Sequence, residues 1–211
     1  MLLQILTYTH HLTTMLFGIF LSAFFLGVKQ NKKNVCILLG GGAVSGLFFL
    51  ICNTVFGSLF TEAVYPIFVH LPLFLLLVFY YRFRWLPSII SIMTAYLCCQ
   101  FSNWAGIFAL SLSGLDWVYY LVRIIVTVAV FAFLSRYLCQ TTALLFAKSD
   151  RELYILGAMP FVYYVFDYST TKFSMLLYSG NKVVVEFLAF AMCISYVIFL
   201  FVYFQEYELK N

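Results

Sequence analysis

Hydrophobic stretches of about 20 residues recur from one end of the chain to the other, and Lys and Arg collect in every second gap between them. A stretch of that length built largely of Phe, Leu, Ile and Val can cross the hydrocarbon layer as a single helix, with all its backbone hydrogen bonds closed internally. The pattern predicts seven spans: Thr9 to Val28, Val35 to Phe56, Val64 to Tyr81, Leu86 to Leu110, Val118 to Leu138, Leu153 to Phe166 and Val183 to Phe204. The expected fold is therefore all-α, a polytopic integral membrane helix bundle. Residues 1–204 make up the bundle and 205–211 a short tail.

The gaps set an orientation. Placing Lys29, Lys32 and Lys33 in the cytoplasm puts the third gap (Arg82, Arg84) and the fifth (Arg136, Lys148, Arg151) there too, as the positive-inside rule requires. The opposite gaps hold Glu62, Asp116 and a mixed loop with Lys172 and Lys182. The N-terminus is thus expected outside and the C-terminus inside, in a multi-pass plasma-membrane arrangement. The first span is too long for a signal peptide and lacks a charged start and a small-residue cleavage site, so it reads as a retained helix. The sixth is short, carries Gly157 and Pro160, and ends in Asp167 and a Ser/Thr run. It reads as a helix whose Pro-freed carbonyl is satisfied by a neighbouring helix, with a re-entrant segment as the alternative.

Composition narrows the functional classes. With a mean hydropathy of +1.00 and only 9% charged residues, little is left from which to build a water-soluble catalytic domain. The net charge of +4 resides in short loops, where it sets topology, so nucleic acid is not an expected partner and the lipid bilayer is. No phosphate-binding GxxxxGK, GxSxG or HExxH motif occurs, and no catalytic residue or cofactor is expected. The six cysteines lie in or at the edge of apolar spans without metal-ligand spacing, and vicinal Cys98 and Cys99 point to different helix faces; they read as packing residues. His10 and His11 have no third ligand nearby, so no metal site is expected. The Gly40-Gly41-Gly42 run sits inside an apolar span. Within it, Gly42 and Gly46 form a small-xxx-small step for close helix packing.

Polar groups inside the spans favour the outer half under this topology. His70 lies about two turns into the third span, Asn103 and Arg123 at similar depth in the fourth and fifth, and Asp167 and Glu186 at the outer ends of the sixth and seventh. Ionisable groups at such depth are costly unless paired or facing water, so these five define a candidate ligand-binding cavity, with Arg123 paired to Asp167 or Glu186. The alternative is that Arg123 and Glu186 snorkel to the interface and His70 makes one interhelical hydrogen bond.

Two stretches carry a family resemblance. One runs from Val69-His70-Leu71-Pro72-Leu73 through Arg82, Arg84 and Trp85 to Thr94-Ala95-Tyr96-Leu97-Cys98-Cys99-Gln100, with Trp104 soon after. The other is Met159-Pro160-Phe161-Val162-Tyr163-Tyr164-Val165-Phe166-Asp167-Tyr168, then Leu177-Tyr178-Ser179-Gly180 and Val185-Glu186-Phe187, with the run-out Val202-Tyr203-Phe204-Gln205-Glu206-Tyr207-Glu208. Together they resemble the membrane sensor module of bacterial GHKL-type sensor histidine kinases, whose distant relatives are peptide-pheromone receptor kinases.

The resemblance implies a homodimeric module that takes a peptide or small amphipathic ligand, passes a rotation, tilt or piston step into a cytoplasmic helix through its last span, and reaches a response regulator only through a kinase domain. Gln205 to Asn211 would be the stub of that output helix. The family's phosphoacceptor helix and ATP-binding domain do not occur within the 211 residues, so this stretch alone is expected to lack autophosphorylation and not to act as an enzyme. Two other classes stay open. One is a small transporter or a transporter's membrane subunit, against which stand the lack of repeat symmetry and of charged or broken-helix sites near the midplane. The other is an intramembrane lipid-modifying enzyme, for which Asp150 and Glu152 are the nearest approach to a paired acidic motif.

Overall fold

The computed structural model describes residues 2–57, 64, 66–147, 150–172 and 182–210, and the side chains of all of these except 151, 168–172, 182–188 and 207–210. Every regular element among the described residues is helical. In chain order they are α1 (Leu2–Phe25), α2 (Lys32–Phe56), α3 (Pro66–Tyr80), α4 (Trp85–Cys98), α5 (Gln100–Ser113), α6 (Asp116–Tyr137), α7 (Cys139–Phe146), α8 (Asp150–Lys172) and α9 (Lys182–Lys210). Glu62, Lys148 and the Leu177-to-Gly180 stretch lie outside the described residues, as do the side chains of Arg151, Lys172, Lys182 and Glu186.

Four of these segments are long and apolar enough to cross a membrane: Lys32–Phe56, Trp85–Ser113, Asp116–Tyr137 and Ala189–Glu206. Helix covers most of each of the seven apolar stretches, the fourth being α4 and α5 in near-continuity through Cys99, but the first, third and sixth are not among these four segments. Helix α8 extends well beyond Leu153 to Phe166 at both ends as one helix of 23 residues. Helix α7 was not foreseen. Its short sequence Cys139-Gln-Thr-Thr-Ala-Leu-Leu-Phe146 mixes polar and apolar residues and buries Cys139, Thr142, Leu145 and Phe146.

Local chemistry explains the element ends. Gly27 (φ +85°) closes α1: its N–H bonds to Phe24 O at 2.9 Å and the Val28 N–H to Ala23 O at 3.1 Å, the Schellman pattern that needs a left-handed residue. Four residues on, Asn31 caps α2, its Oδ1 accepting from the Asn34 N–H at 2.8 Å. Helix α3 widens into π-helical turns at Pro66–His70 and Leu76–Tyr80 around one α-helical turn, Leu71–Leu75. Pro72 has no N–H to give the preceding turn, which favours such a departure from regular α-helix.

Helix α4 is the centre of the bundle. Leu86, Ile90, Ile92 and Leu97 are buried on it, and so are the small polar residues Ser88, Ser91 and Thr94. Ser88 Oγ donates to Arg84 O at 2.8 Å and Ser91 Oγ to Ser88 O at 2.9 Å, so the two serine hydroxyls are satisfied within their own helix. Opposite Ile90 stands Gly157 of α8, where a Cβ would fall 2.7 Å from Ile90 Cδ1 and Cγ1; α4 and α8 approach closely because that position is bare. Helix α2 buries a narrow stripe, Leu38, Gly42, Ser45 and Cys52, and leaves Val44, Leu47, Phe48 and Ile51 exposed. Gly42 and Gly46 face Met15, Leu16 and Ile19 of α1, so this small-residue step is used within the chain and does not stand open to a second copy.

Three gaps meet at one end of the bundle. Arg84 Nη1 donates to Asp150 Oδ1 at 2.8 Å, joining the α3–α4 gap to the start of α8, and the Tyr81 hydroxyl reaches Asn34 Oδ1 at 3.5 Å. Gly27 lies against Ala143 of α7, and Leu26, Arg82, Arg84 and Phe146 line a shared cavity.

Candidate functional site

The five polar residues singled out from the sequence separate into two groups. His70 ends the first π-helical turn of α3, and its Nδ1 lies 2.9 Å from the Tyr164 hydroxyl of α8, donating or accepting according to its tautomer. Its ring also meets Tyr96 of α4 edge-on at 5.8 Å. The Tyr96 hydroxyl donates to Asp167 Oδ2 in a short hydrogen bond, and the Tyr96 and Tyr164 rings cross at 5.0 Å. An imidazole, two phenols and a carboxylate thus form one connected cluster where α3, α4 and α8 meet.

Helix α8 supplies two members of the cluster because Tyr164 and Asp167 are three positions apart and so share a face. The same helix is tied to the last one. Pro160 cannot donate to the carbonyl of Leu156, four residues earlier, and the Tyr196 hydroxyl of α9 donates to that carbonyl at 2.9 Å. Tyr196 is almost wholly buried, so this bond is sheltered from competing donors.

Arg123 sits elsewhere, on α6 where it packs against α1 and α5. Its Nη1 donates to the Tyr119 hydroxyl one turn earlier, and its guanidinium lies 5.2 Å from that ring's centre. Its aliphatic stem crosses the bare backbone of Gly106 on α5. Asn103 is three positions before Gly106 on the same helix, and its Nδ2 donates to Gln100 Oε1 at 3.3 Å. Among the described residues Arg123 forms no ion pair, and Asp167 accepts from Tyr96. The Arg123–Asp167 pairing is therefore not formed. Pairing with Glu186 lies outside the described side chains.

His10 is buried on α1, its ring 5.8 Å from that of Tyr120 and its Nδ1 3.3 Å from Thr14 Oγ1. It is close enough to Arg123 for their charges to interact. Among the described residues no group of three His, Cys, Asp or Glu side chains could hold a metal ion.

Sequence reasoning missed the tyrosines. Tyr96, Tyr119, Tyr164 and Tyr196 read as members of an abundant aromatic class suited to packing and interfaces, whereas each uses its hydroxyl on a specific partner. Comparison of the chain with protein-family models, with curated proteins and with solved structures finds no match.

Proposed function

We propose that the chain is the membrane-embedded sensor module of a bacterial two-component histidine kinase of the GHKL type. In this reading all seven apolar helices cross the plasma membrane, with the N-terminus outside and the C-terminus in the cytoplasm. The meeting of the first, third and fifth gaps at one end of the bundle supports that alternation, since a single face then carries Lys29, Lys32, Lys33, Arg82 and Arg84.

The observation that carries the reading is the wiring of α8. It holds Tyr164 and Asp167 of the polar cluster at one level and the Leu156 carbonyl, bound by Tyr196 of α9, at another. A peptide or small amphipathic ligand that competes for Asp167 or His70 would shift α8, and α8 would shift α9. That last helix runs 29 residues, about 43 Å, against a hydrocarbon layer of about 30 Å, so its C-terminal turns project beyond the membrane as an output helix. The partners are then a second copy of the module and, through a kinase domain, a response regulator.

A transport reading has one observation in its favour: the departure from regular helix in α3 beside His70, together with the interruption at Cys99 between α4 and α5, places irregular backbone next to ionisable groups. The test begins with the native locus. A frame continuing past the Asn211 codon into a phosphoacceptor helix and ATPase domain supports the sensor, and a neighbouring ATP-binding cassette subunit supports transport. In the host, Asp167→Asn and Tyr196→Phe should each alter phosphorylation of the adjacent response regulator while the protein stays in the membrane. Unchanged phosphorylation in both variants overturns the reading.

A further inference from the structure

Arg123 carries a positive charge that the described residues do not neutralise. Its one hydrogen-bond acceptor among them is a neutral phenol, that of Tyr119. Among the described side chains, which do not include Glu186, no carboxylate lies within 4 Å, and its Nε is buried without a hydrogen-bond partner. One turn further along α6, Thr127 Oγ1 is likewise buried without a partner. Tyr119, Arg123 and Thr127 follow one another at intervals of four, so they form a polar stripe along one side of α6. Asp116 does not serve as counter-ion. It is exposed at the helix start, seven residues or about 10.5 Å along the axis from Arg123.

A partly desolvated guanidinium beside the hydrocarbon layer is costly until an anion meets it. Under the topology proposed above, that meeting falls toward the membrane surface. Helical side chains lean toward the N-terminus of their helix, and Arg123 does so, reaching back to Tyr119. Trp117, Tyr119 and Tyr120 gather at the same level, with the His10 ring against Tyr120, which is the aromatic dress of an interface. Under that topology the headgroup phosphates lie on the side to which the arm leans, within reach of its tip, and a planar guanidinium presents a fork that fits two phosphate oxygens.

We propose that Arg123, with Tyr119 beside it, is a phosphate-binding site occupied by the headgroup of an anionic phospholipid. The lipid neutralises the partly buried charge and clamps α6 to α1 and α5. This goes beyond the signalling reading, because such a site would serve a sensor and a transporter alike.

The test uses the full chain purified in a neutral detergent. Lipid retention is followed by native mass spectrometry, and thermal unfolding is followed with added phosphatidylglycerol, phosphatidylcholine or inorganic phosphate. Wild type should retain phosphatidylglycerol in preference to phosphatidylcholine and be stabilised by it. Arg123→Gln should lower that retention roughly 10-fold or more, the loss expected for a charge-assisted hydrogen-bond pair. Arg123→Lys, which keeps the charge without the fork, should fall between and guards against a folding defect in the glutamine variant. Stabilisation by inorganic phosphate at equal strength, lost in the same variants, would keep the phosphate site but assign it to a soluble anion. Equal retention of both lipids by wild type, or retention of phosphatidylglycerol unchanged in Arg123→Gln, overturns the proposal.

Discussion

The Tyr196 hydroxyl stands 2.9 Å from the carbonyl oxygen of Leu156, the acceptor that Pro160 leaves without its helical donor. A proline inside a helix leaves a carbonyl that needs a replacement donor wherever water is excluded, and here the last helix provides it. Tyr196→Phe should therefore lower unfolding free energy by about 1 kcal/mol, within the range of interhelical hydrogen bonds in membrane proteins. In a Pro160→Ala background, where residue 160 regains its N–H, the same substitution should cost clearly less. Unfolding in mixed micelles, followed by circular dichroism for all four members of the cycle, measures the coupling. Equal costs in the two backgrounds would show that the hydroxyl does not act through this carbonyl.

How much of this was legible follows from which signals are local. Helix positions were readable because runs such as Val35 to Phe56 leave few other folds open to them, and the acceptor at Pro160 was readable because proline chemistry depends on four residues of one chain. The identity of the donor was not, since Tyr196 and Leu156 are 40 positions apart and nothing distinguishes Tyr196 from fifteen other tyrosines until the helices are packed. The separation of Arg123 from Asp167 was hidden for a similar reason. Depth along each span can be counted from sequence, but the angular position of α6 relative to α8 around the bundle cannot. The α7 turn escaped because eight residues give too little periodicity to tell a helix from a loop.

At the α4–α8 contact the bare position Gly157 admits Ile90, and a methyl group there would lie 2.7 Å from Ile90 Cδ1 and Cγ1. Because α4 is the buried centre of the bundle, neither helix can retreat cheaply. Gly157→Ala should cost about 1–3 kcal/mol by overpacking, and Ile90→Ala in the same chain should return part of it by clearing the collision. Ile90→Ala alone should also destabilise, through the cavity it opens. The sign of the coupling is the test: two independent losses that simply add would exclude a direct Gly157–Ile90 contact.

Within the polar cluster, Asp167 accepts the Tyr96 hydroxyl proton through a carboxylate oxygen. Asp167→Asn keeps an oxygen acceptor of the same shape, whereas Asp167→Leu removes it and strands the partly buried phenol of Tyr96. The leucine variant should therefore be less stable than the asparagine one, and Tyr96→Phe should narrow the difference. Denaturation of the four chains in one detergent checks this. Matching stabilities for asparagine and leucine at 167 would remove the hydrogen bond from the account of the cluster.

The Arg84–Asp150 pair is short at 2.8 Å, but its side chains remain 48% and 59% exposed. Water screens such pairs, so Asp150→Asn should change stability by less than about 1 kcal/mol. Its effect should appear in salt dependence: whatever small contribution wild type gains at low ionic strength should vanish in the variant. A loss of several kcal/mol on Asp150→Asn would mean that the junction of α3, α4 and α8 is more buried than its exposure indicates.

Gly106 is the position on α5 over which the Arg123 stem runs; an added Cβ would fall 2.4 Å from Arg123 Cγ, 2.8 Å from Cδ and 3.1 Å from Tyr119 Cδ2. These atoms belong to the base of the arginine arm, not to its mobile tip, so a small rotation cannot relieve the clash. Gly106→Ala should push the arm off α5 and destabilise the chain by about 1–3 kcal/mol. Arg123→Ala removes Cγ and Cδ, and against that background Gly106→Ala should become nearly neutral, because the roughly 1 kcal/mol by which alanine suits a helix interior better than glycine offsets the remaining tight contact with Tyr119 Cδ2. The same pair of chains separates packing from charge: if Gly106→Ala costs as much without the arginine as with it, the glycine is required by α6 backbone approach and the stem contact is incidental.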